Sequence, residues 1–461
     1  MAYQTTNPYS GKLVASFDEL DDSQLEDKLG AAAACFQNVW RHHSFAERKA
    51  VLSRAAALMR ERSQTLAELI TLEMGKLIQQ SAGEVALSAA ILDYYAEHAE
   101  VFLAPEKLTT AKGEAFVESA PIGVLFGVEP WNYPYYQIAR FAAPNLMAGN
   151  VVMVKHASNV PQCALAFESV MRDAGAPCGA YTNLFISKDQ ISKVIDDARI
   201  RAVALTGSEA AGAVVAARAG KNLKKSTMEL GGSDAFIVLE DAELDKAVNW
   251  AVWGKMNNTG QSCVAAKRFI VVEPLADRFL EKFSKALAAL TPGDPMDPAT
   301  SLGPLSTESA LVQLLGQVAS AVKHGAKLAL GGQRIDRPGF FMQPTIITGI
   351  KPGNPAFREE FFGPVALLFR VKNEDEAIAL ANDSDFGLGG SVFTNDIARG
   401  KRVASRIDTG MVFINHPTWT TPDLPFGGIK NSGYGRELSR MGIQEFVNKK
   451  LVRVAAIDAA A

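Results

Sequence analysis

The stretch RAVALTGSEAAGAVV, residues 201–215, passes from an apolar run (202–206) through Gly207 and Ser208 into an alanine-rich run with helical character. A strand that turns on a glycine directly into a helix is the repeating unit of a parallel sheet covered by helices. The same texture precedes it. Apolar runs at IGVLFGV (122–128), VVMVK (151–155) and TNLFI (182–186) alternate with helical stretches starting near Tyr135, Pro161, Asp189 and Glu209. A second alternation begins near Asp234, with strands expected at DAFIVL, RFIVV, AKLAL, ALLFRV, GSVFT and GMVFIN. The expected fold class is α/β, with two Rossmann-like α/β domains and a cleft at their junction. Residues from about 20 to 100 read as amphipathic helices, with Leu52, Ala55, Ala56, Leu58 and Met59 on one side. The polar segment 106–121 fits neither unit and reads as a hairpin. NKKLVRVAAID (448–458) reads as an edge strand. Both are either pairing surfaces for an oligomer or ordinary surface structure.

Composition narrows the function. The 461 residues are 48% hydrophobic and 21% charged, with a net charge of -3 and no basic stripe, which argues against nucleic acid as a partner. Cys35, Cys163, Cys178 and Cys263 lie far apart with no CxxC pairing, so no metal site is expected, and they read as reduced thiols. The N-terminus lacks a basic-then-apolar signal and no run approaches a membrane span, so a cytoplasmic protein is expected.

No G-x-G-x-x-G is present. The junction at Gly207, Ser208 and Gly212 still offers a helix N-terminus to a pyrophosphate. VVMVKHASN ends a strand with Lys155 and then Ser158, at the sheet edge where ligands bind. EPWNYP supplies Trp131 and Asn132, MELGG supplies Glu229, and EEFFGPV supplies Glu359, Glu360 and Phe362. Taken singly, Asn132 suits a turn, Glu229 a surface, Glu360 a helix start and Lys155 a solvated loop. NNTGQSCVAAKR (257–268) sets Cys263 among small polar residues with Lys267 and Arg268 behind it, the setting of an accessible thiol whose thiolate is favoured. A thiol nucleophile, an amide donor for an oxyanion and a carboxylate to activate water form an acyl-transfer set.

EMGK (73–76), PWNYP (130–134), Lys155, LTGS (205–208), MELGG (228–232), NNTGQSC (257–263), EEFFGPV (359–365) and PFGGIKNSGYGRE (425–437) occur in order. With these motifs the chain resembles the NAD(P)-dependent aldehyde dehydrogenase family over essentially its whole length. The resemblance implies Cys263 as the nucleophile, Asn132 and the Cys263 N–H as the oxyanion donors, and Glu229 as the base for hydrolysis. It places Lys155, Gly207, Ser208, Gly212, Glu360 and Phe362 at the cofactor, with Trp131 beside them. Ser158 stands where strict NAD enzymes often carry glutamate, so NADP or NAD is expected as cofactor. It further implies a dinucleotide-binding domain (1–105 and 122–231), a catalytic domain (232–440), oligomerisation segments (106–121 and 441–461), and a homodimer or homotetramer.

The KHASNVP wording is similar to the bacterial NAD(P)-linked succinate-semialdehyde branch. By that resemblance Arg140, eight residues after Asn132, pairs with the distal carboxylate of the aldehyde, and Thr421 adds a hydroxyl contact. Asn257 replaces a second arginine present in some such enzymes. Other semialdehydes such as glutarate semialdehyde, medium-chain aldehydes, and a catalytically silent binding protein of the same fold are the alternatives. A cysteine hydrolase is disfavoured, because the six histidines show no local protease signature.

Overall fold

A computed structural model describes residues 3–457. Its first large sheet has six strands, ordered Gly433–Tyr434, Lys225–Glu229, Ile200–Thr206, Val124–Glu129, Val151–His156 and Tyr181–Asn183. Neighbours run parallel except Gly433–Tyr434, which lies antiparallel to Lys225–Glu229. The inner strands are buried on both faces, as near-continuous apolar runs require. The helices start where the sequence predicts. Pro134 and Pro161 occupy first-turn positions of Pro134–Met147 and Pro161–Asp173, and Ser208 caps Glu209–Lys221.

Chain order sets the position of the crevice. From Val124–Glu129 the sheet grows one way through the next two strands, then jumps to the other side with Ile200–Thr206. Ligands bind at the carboxyl ends of strands at such a reversal. The loops at that point carry Trp131 with Asn132, and Gly207 with Ser208.

The second sheet has seven strands, ordered Lys327–Leu330, Thr345–Thr348, Val365–Val371, Ala266–Val272, Asp234–Val238, Gly390–Phe393 and Phe413–Ile414. Each sheet anchors its own apolar cluster. Several strands escaped the sequence reading. Thr345–Thr348 is too short to stand out, Lys225–Glu229 is mostly polar, and the hairpin Tyr3–Asn7 with Lys12–Phe17 carries little apolar pattern. Segment 106–121 does form a hairpin, and Val447–Val454 pairs antiparallel with its second strand. Residues 1–2 and 458–461, at the ends of the expected domain and oligomerisation segments, lie outside the described residues. Among those described, no helix is long and apolar enough to cross a membrane.

Candidate active site

The loop 257–263 is built under constraint. Asn258 and Thr259 hold φ 53° and Gly260 φ 76°, and left-handed backbone at a β-branched threonine is a true outlier of the kind concentrated at functional sites. Gly260 also admits no side chain, since a Cβ there would come 2.2 Å from the Gly363 carbonyl oxygen. This loop places Cys263 where two hollows meet. One is a narrow tunnel lined by Tyr133, Tyr136, Gln137, Trp253, Asn257, Trp419 and Thr420. The other is a cleft of about 680 Å³ lined by Trp131, Asn132, Gly207, Ser208, Glu360 and Phe362. Cys263 lines both. Trp131 and Phe362 pack edge to face in the cleft with ring centroids 5.8 Å apart.

Asn132 is held from beneath. Its Nδ2 donates to the Gln261 carbonyl at 3.1 Å, which leaves the second amide hydrogen for another acceptor. Its own carbonyl accepts from Lys76 Nζ at 2.9 Å and from Asn258 Nδ2 at 2.8 Å. Lys76 is fully buried and paired with Glu84, whose Oε1 caps the Tyr135 and Tyr136 N–H groups at 2.9 and 3.3 Å. The EMGK motif thus packs the Asn132 loop from behind, a role nothing in its local composition records.

Glu229 ends the strand Lys225–Glu229 and is buried with both carboxylate oxygens unpartnered. Burial drives it well above the usual carboxylate range. Glu437 adds to the shift, while Arg140 and Arg436 oppose it. The Cys263 thiol corrects the expectation of a favoured thiolate. Burial pushes it up to about 12, more than the nearby Arg140 and Lys267 bring it down. The residue is half-buried, and at rest its thiol is held protonated rather than standing ready as an anion.

Arg140 does not line the tunnel. The helix begins at Pro134, so Arg140 sits one turn beyond Tyr136 and on the same side, deeper in the protein. There it is ion-paired with Glu437 and donates to Thr206 Oγ1 and Tyr136 Oη, each at 3.1 Å. Its guanidinium is committed to Glu437, Thr206 and Tyr136 rather than presented to the tunnel, where sequence placed its carboxylate contact. Among the described residues, none of those lining the tunnel is charged. Replacing Arg140 by leucine strands Glu437 in the interior and is expected to cost about 3–5 kcal/mol in a urea melt. Loss of less than about 1 kcal/mol would show that the pair adds little.

Four further expected residues lie outside the linings of the two hollows. Thr421 is absent from the tunnel lining and its buried hydroxyl is unpartnered, whereas the adjacent Thr420 faces the tunnel. Lys155 ends the neighbouring strand outside the cleft, its Nζ 5.4 Å from the centre of the Tyr3 ring, where burial brings it down to about 8. Ser158 lines a separate depression with Gln4, Thr6 and Ser306. Gly212 lies in the first helical turn behind Ser208, where a Cβ would strike Leu230 at 2.5 Å, so its need for glycine is one of packing.

The cleft suits a dinucleotide. The capped N-terminus of Glu209–Lys221 opens onto it, and Gly207 leaves its backbone approachable. Glu360 fixes Oε1 with the Gly232 N–H at 3.0 Å and Lys267 Nζ at 3.1 Å.

The model of the aldehyde dehydrogenase family matches residues 1–452. A succinate-semialdehyde dehydrogenase [NADP(+)] of Deinococcus radiodurans is 52% identical over 98% of this chain and 94% of its own. One from Mycobacterium tuberculosis is 45% identical over 99% of this chain and 100% of its own. The structure of a Streptococcus pyogenes succinic semialdehyde dehydrogenase with NADP+ superposes with a TM-score of 0.97 at 47% identity, covering 99% of this chain and 100% of that one. With a thiol set between a substrate tunnel and a dinucleotide-sized cleft, this chain belongs to the aldehyde dehydrogenase family.

Proposed function

We propose that the protein oxidises succinate semialdehyde to succinate with NADP+, with NAD+ as a weaker acceptor. The observation that carries this reading is that Cys263 lines both hollows, so aldehyde and dinucleotide reach one sulfur from opposite sides. Cys263 attacks the aldehyde carbon. The free Asn132 amide hydrogen and the Cys263 N–H hold the oxyanion, where one such donor contributes about 2.7–4 kcal/mol. The nicotinamide, when bound, supplies the hydride acceptor. Glu229 then takes a proton from the water that cleaves the thioester on Cys263. Trp131, Gly207, Ser208, Glu360 and Phe362 hold the dinucleotide in this reading, with Glu360 Oε2 as an acceptor for a ribose hydroxyl. Lys155 reaches its adenosine end, and Ser158 spares a 2′-phosphate the repulsion of an acid.

The distal carboxylate is read by neutral donors. Tyr136 Oη accepts from Arg140 and donates to Thr420 Oγ1 at 3.4 Å, which leaves the Thr420 hydroxyl hydrogen for the tunnel. Arg140 acts from behind as a fixed positive charge. The assay that tests this follows reduced cofactor at 340 nm with succinate semialdehyde and with butanal, each with NADP+ and NAD+. A kcat/KM for the semialdehyde no better than for butanal overturns the substrate. A preference for NAD+ overturns the cofactor. Thr420→Val is expected to raise KM for succinate semialdehyde about tenfold or more, the worth of a hydrogen bond to a charged group. Butanal should stay within about twofold, and equal effects on both would remove the carboxylate role.

The exposed Leu451 and Val454 on the edge strand Val447–Val454 support a homodimer or homotetramer built on the three-stranded sheet. Four free thiols support a cytoplasmic location. The six-stranded sheet supports the dinucleotide-binding half, and the seven-stranded sheet, which begins at Asp234, the catalytic half.

A further inference from the structure

Lys267 is fully buried, yet nothing in the reaction as described uses it. Its Nζ donates to the Ser262 carbonyl and the Cys263 carbonyl, each at 2.8 Å, and pairs with Glu360 Oε1 at 3.1 Å. These three acceptors come from two different loops. One loop carries the nucleophile and the other the carboxylate that faces the cleft. The same Glu360 oxygen also takes the Gly232 N–H, and a Cβ on Gly232 would come 2.4 Å from the Cys263 carbonyl oxygen. The MELGG, GQSC and EEFFGPV stretches are thereby tied around one nitrogen. Lys255, the other buried lysine nearby, makes no such set of contacts. Its Nζ reaches only the Phe361 carbonyl, at 3.5 Å.

We propose that Lys267 is a positioning residue that joins the cofactor-facing carboxylate of Glu360 to the backbone of the nucleophile, so that sulfur and dinucleotide are held in one register. The proposal rests on the reading of Cys263 as nucleophile and of Glu360 as a cofactor contact. Burying a cation is costly unless it is paired and fully hydrogen-bonded, and Lys267 meets both conditions with groups of the site alone. The groups around the thiol set the sign of its removal. Arg140 and Lys267 favour the Cys263 thiolate, while Glu229 and Glu360 oppose it and Tyr133 stands beside it. Around Lys267 itself lie Glu360, Asp234 and Lys255. Taking Lys267 away therefore lowers the thiolate fraction and releases Glu360 together.

The test uses Lys267→Met, with iodoacetamide alkylation of Cys263 in the cofactor-free protein read by peptide mass, and NADP+ titration beside it. At pH 8.5 the alkylation rate is expected to fall about fivefold or more, since a nearby cation is lost. The KM for NADP+ should rise about fivefold, with KM for the aldehyde changed less. Lys267→Gln, which keeps one donor for the carbonyls, serves if the methionine variant does not fold. If both fail to fold, Lys267 is a folding residue and the proposal falls. Alkylation and KM for NADP+ both within about twofold of the parent also overturn it. In the parent protein, alkylation of Cys263 without loss of activity would instead sink the nucleophile reading, which separates the two failures.

Discussion

Cys263→Ala is expected to lose turnover on the order of 10⁴-fold or more while the protein stays folded and binds NADP+ within about threefold of the parent affinity. Alanine removes the attacking atom and little else. The backbone at 263 is fixed by Lys267, and the loop before it by Gln261, whose Oε1 accepts the Ser306 N–H at 2.9 Å. Neither contact involves the thiol. Calorimetric titration with NADP+ and an activity assay on one preparation distinguish chemistry from folding. Residual turnover within about a hundredfold would mean that another group attacks the aldehyde. The burial of the thiol adds a pH signature. With the thiol pushed up to about 12, the thiolate is a small fraction at neutral pH, so alkylation of Cys263 should accelerate about tenfold per pH unit between pH 7 and 9 without a plateau. A plateau near pH 7 would show a favoured thiolate and restore the simpler expectation drawn from its polar neighbours.

That thiol marks where sequence reading stopped. Polar neighbours at 260–262 signal access, but whether a group is solvated depends on what the rest of the chain stacks over it. The strand–glycine–helix junctions were legible because each is local, with a capping serine or an N1 proline within a few residues of the strand end. The cleft lining was legible for a related reason. Trp131, Asn132, Gly207 and Ser208 follow directly on strands whose order creates the crevice. Arg140 shows where a resemblance outruns local sequence. The resemblance alone assigns it to the aldehyde, whereas the helix from Pro134 sets it one turn behind Tyr136, paired with Glu437, and the tunnel-facing position falls to Tyr136. Lys76, Glu84 and Lys267 were visible as residues but silent as roles, because each acts on the backbone of a segment far away in sequence, and nothing in local composition records such a contact.

Glu229→Gln is expected to yield one reduced cofactor per site in a burst and then a steady rate lower by about 10²–10⁴-fold, the usual loss of a general base. In the proposed reaction, attack and hydride transfer need Cys263 and the oxyanion donors, none of which the substitution touches, so the first half of the reaction proceeds. The thioester then waits for a base. The retained acyl group should appear on the Cys263 peptide by mass, and added hydroxylamine should release it. The sign of the pH dependence follows from burial. Glu229 is held well above the usual carboxylate range, so at low pH it carries a proton and cannot accept one from water. Where deacylation limits turnover, kcat of the parent should rise with pH as that proton is lost, and the glutamine variant should lose that rise. Both carboxylate oxygens lack partners, so no hydrogen bond has to break for the side chain to turn toward the thioester. Glycine at 427 keeps the space behind it open, since a Cβ there would lie 2.7 Å from Oε1. Steady turnover of Glu229→Gln with no burst would assign the hydrolytic base to another residue.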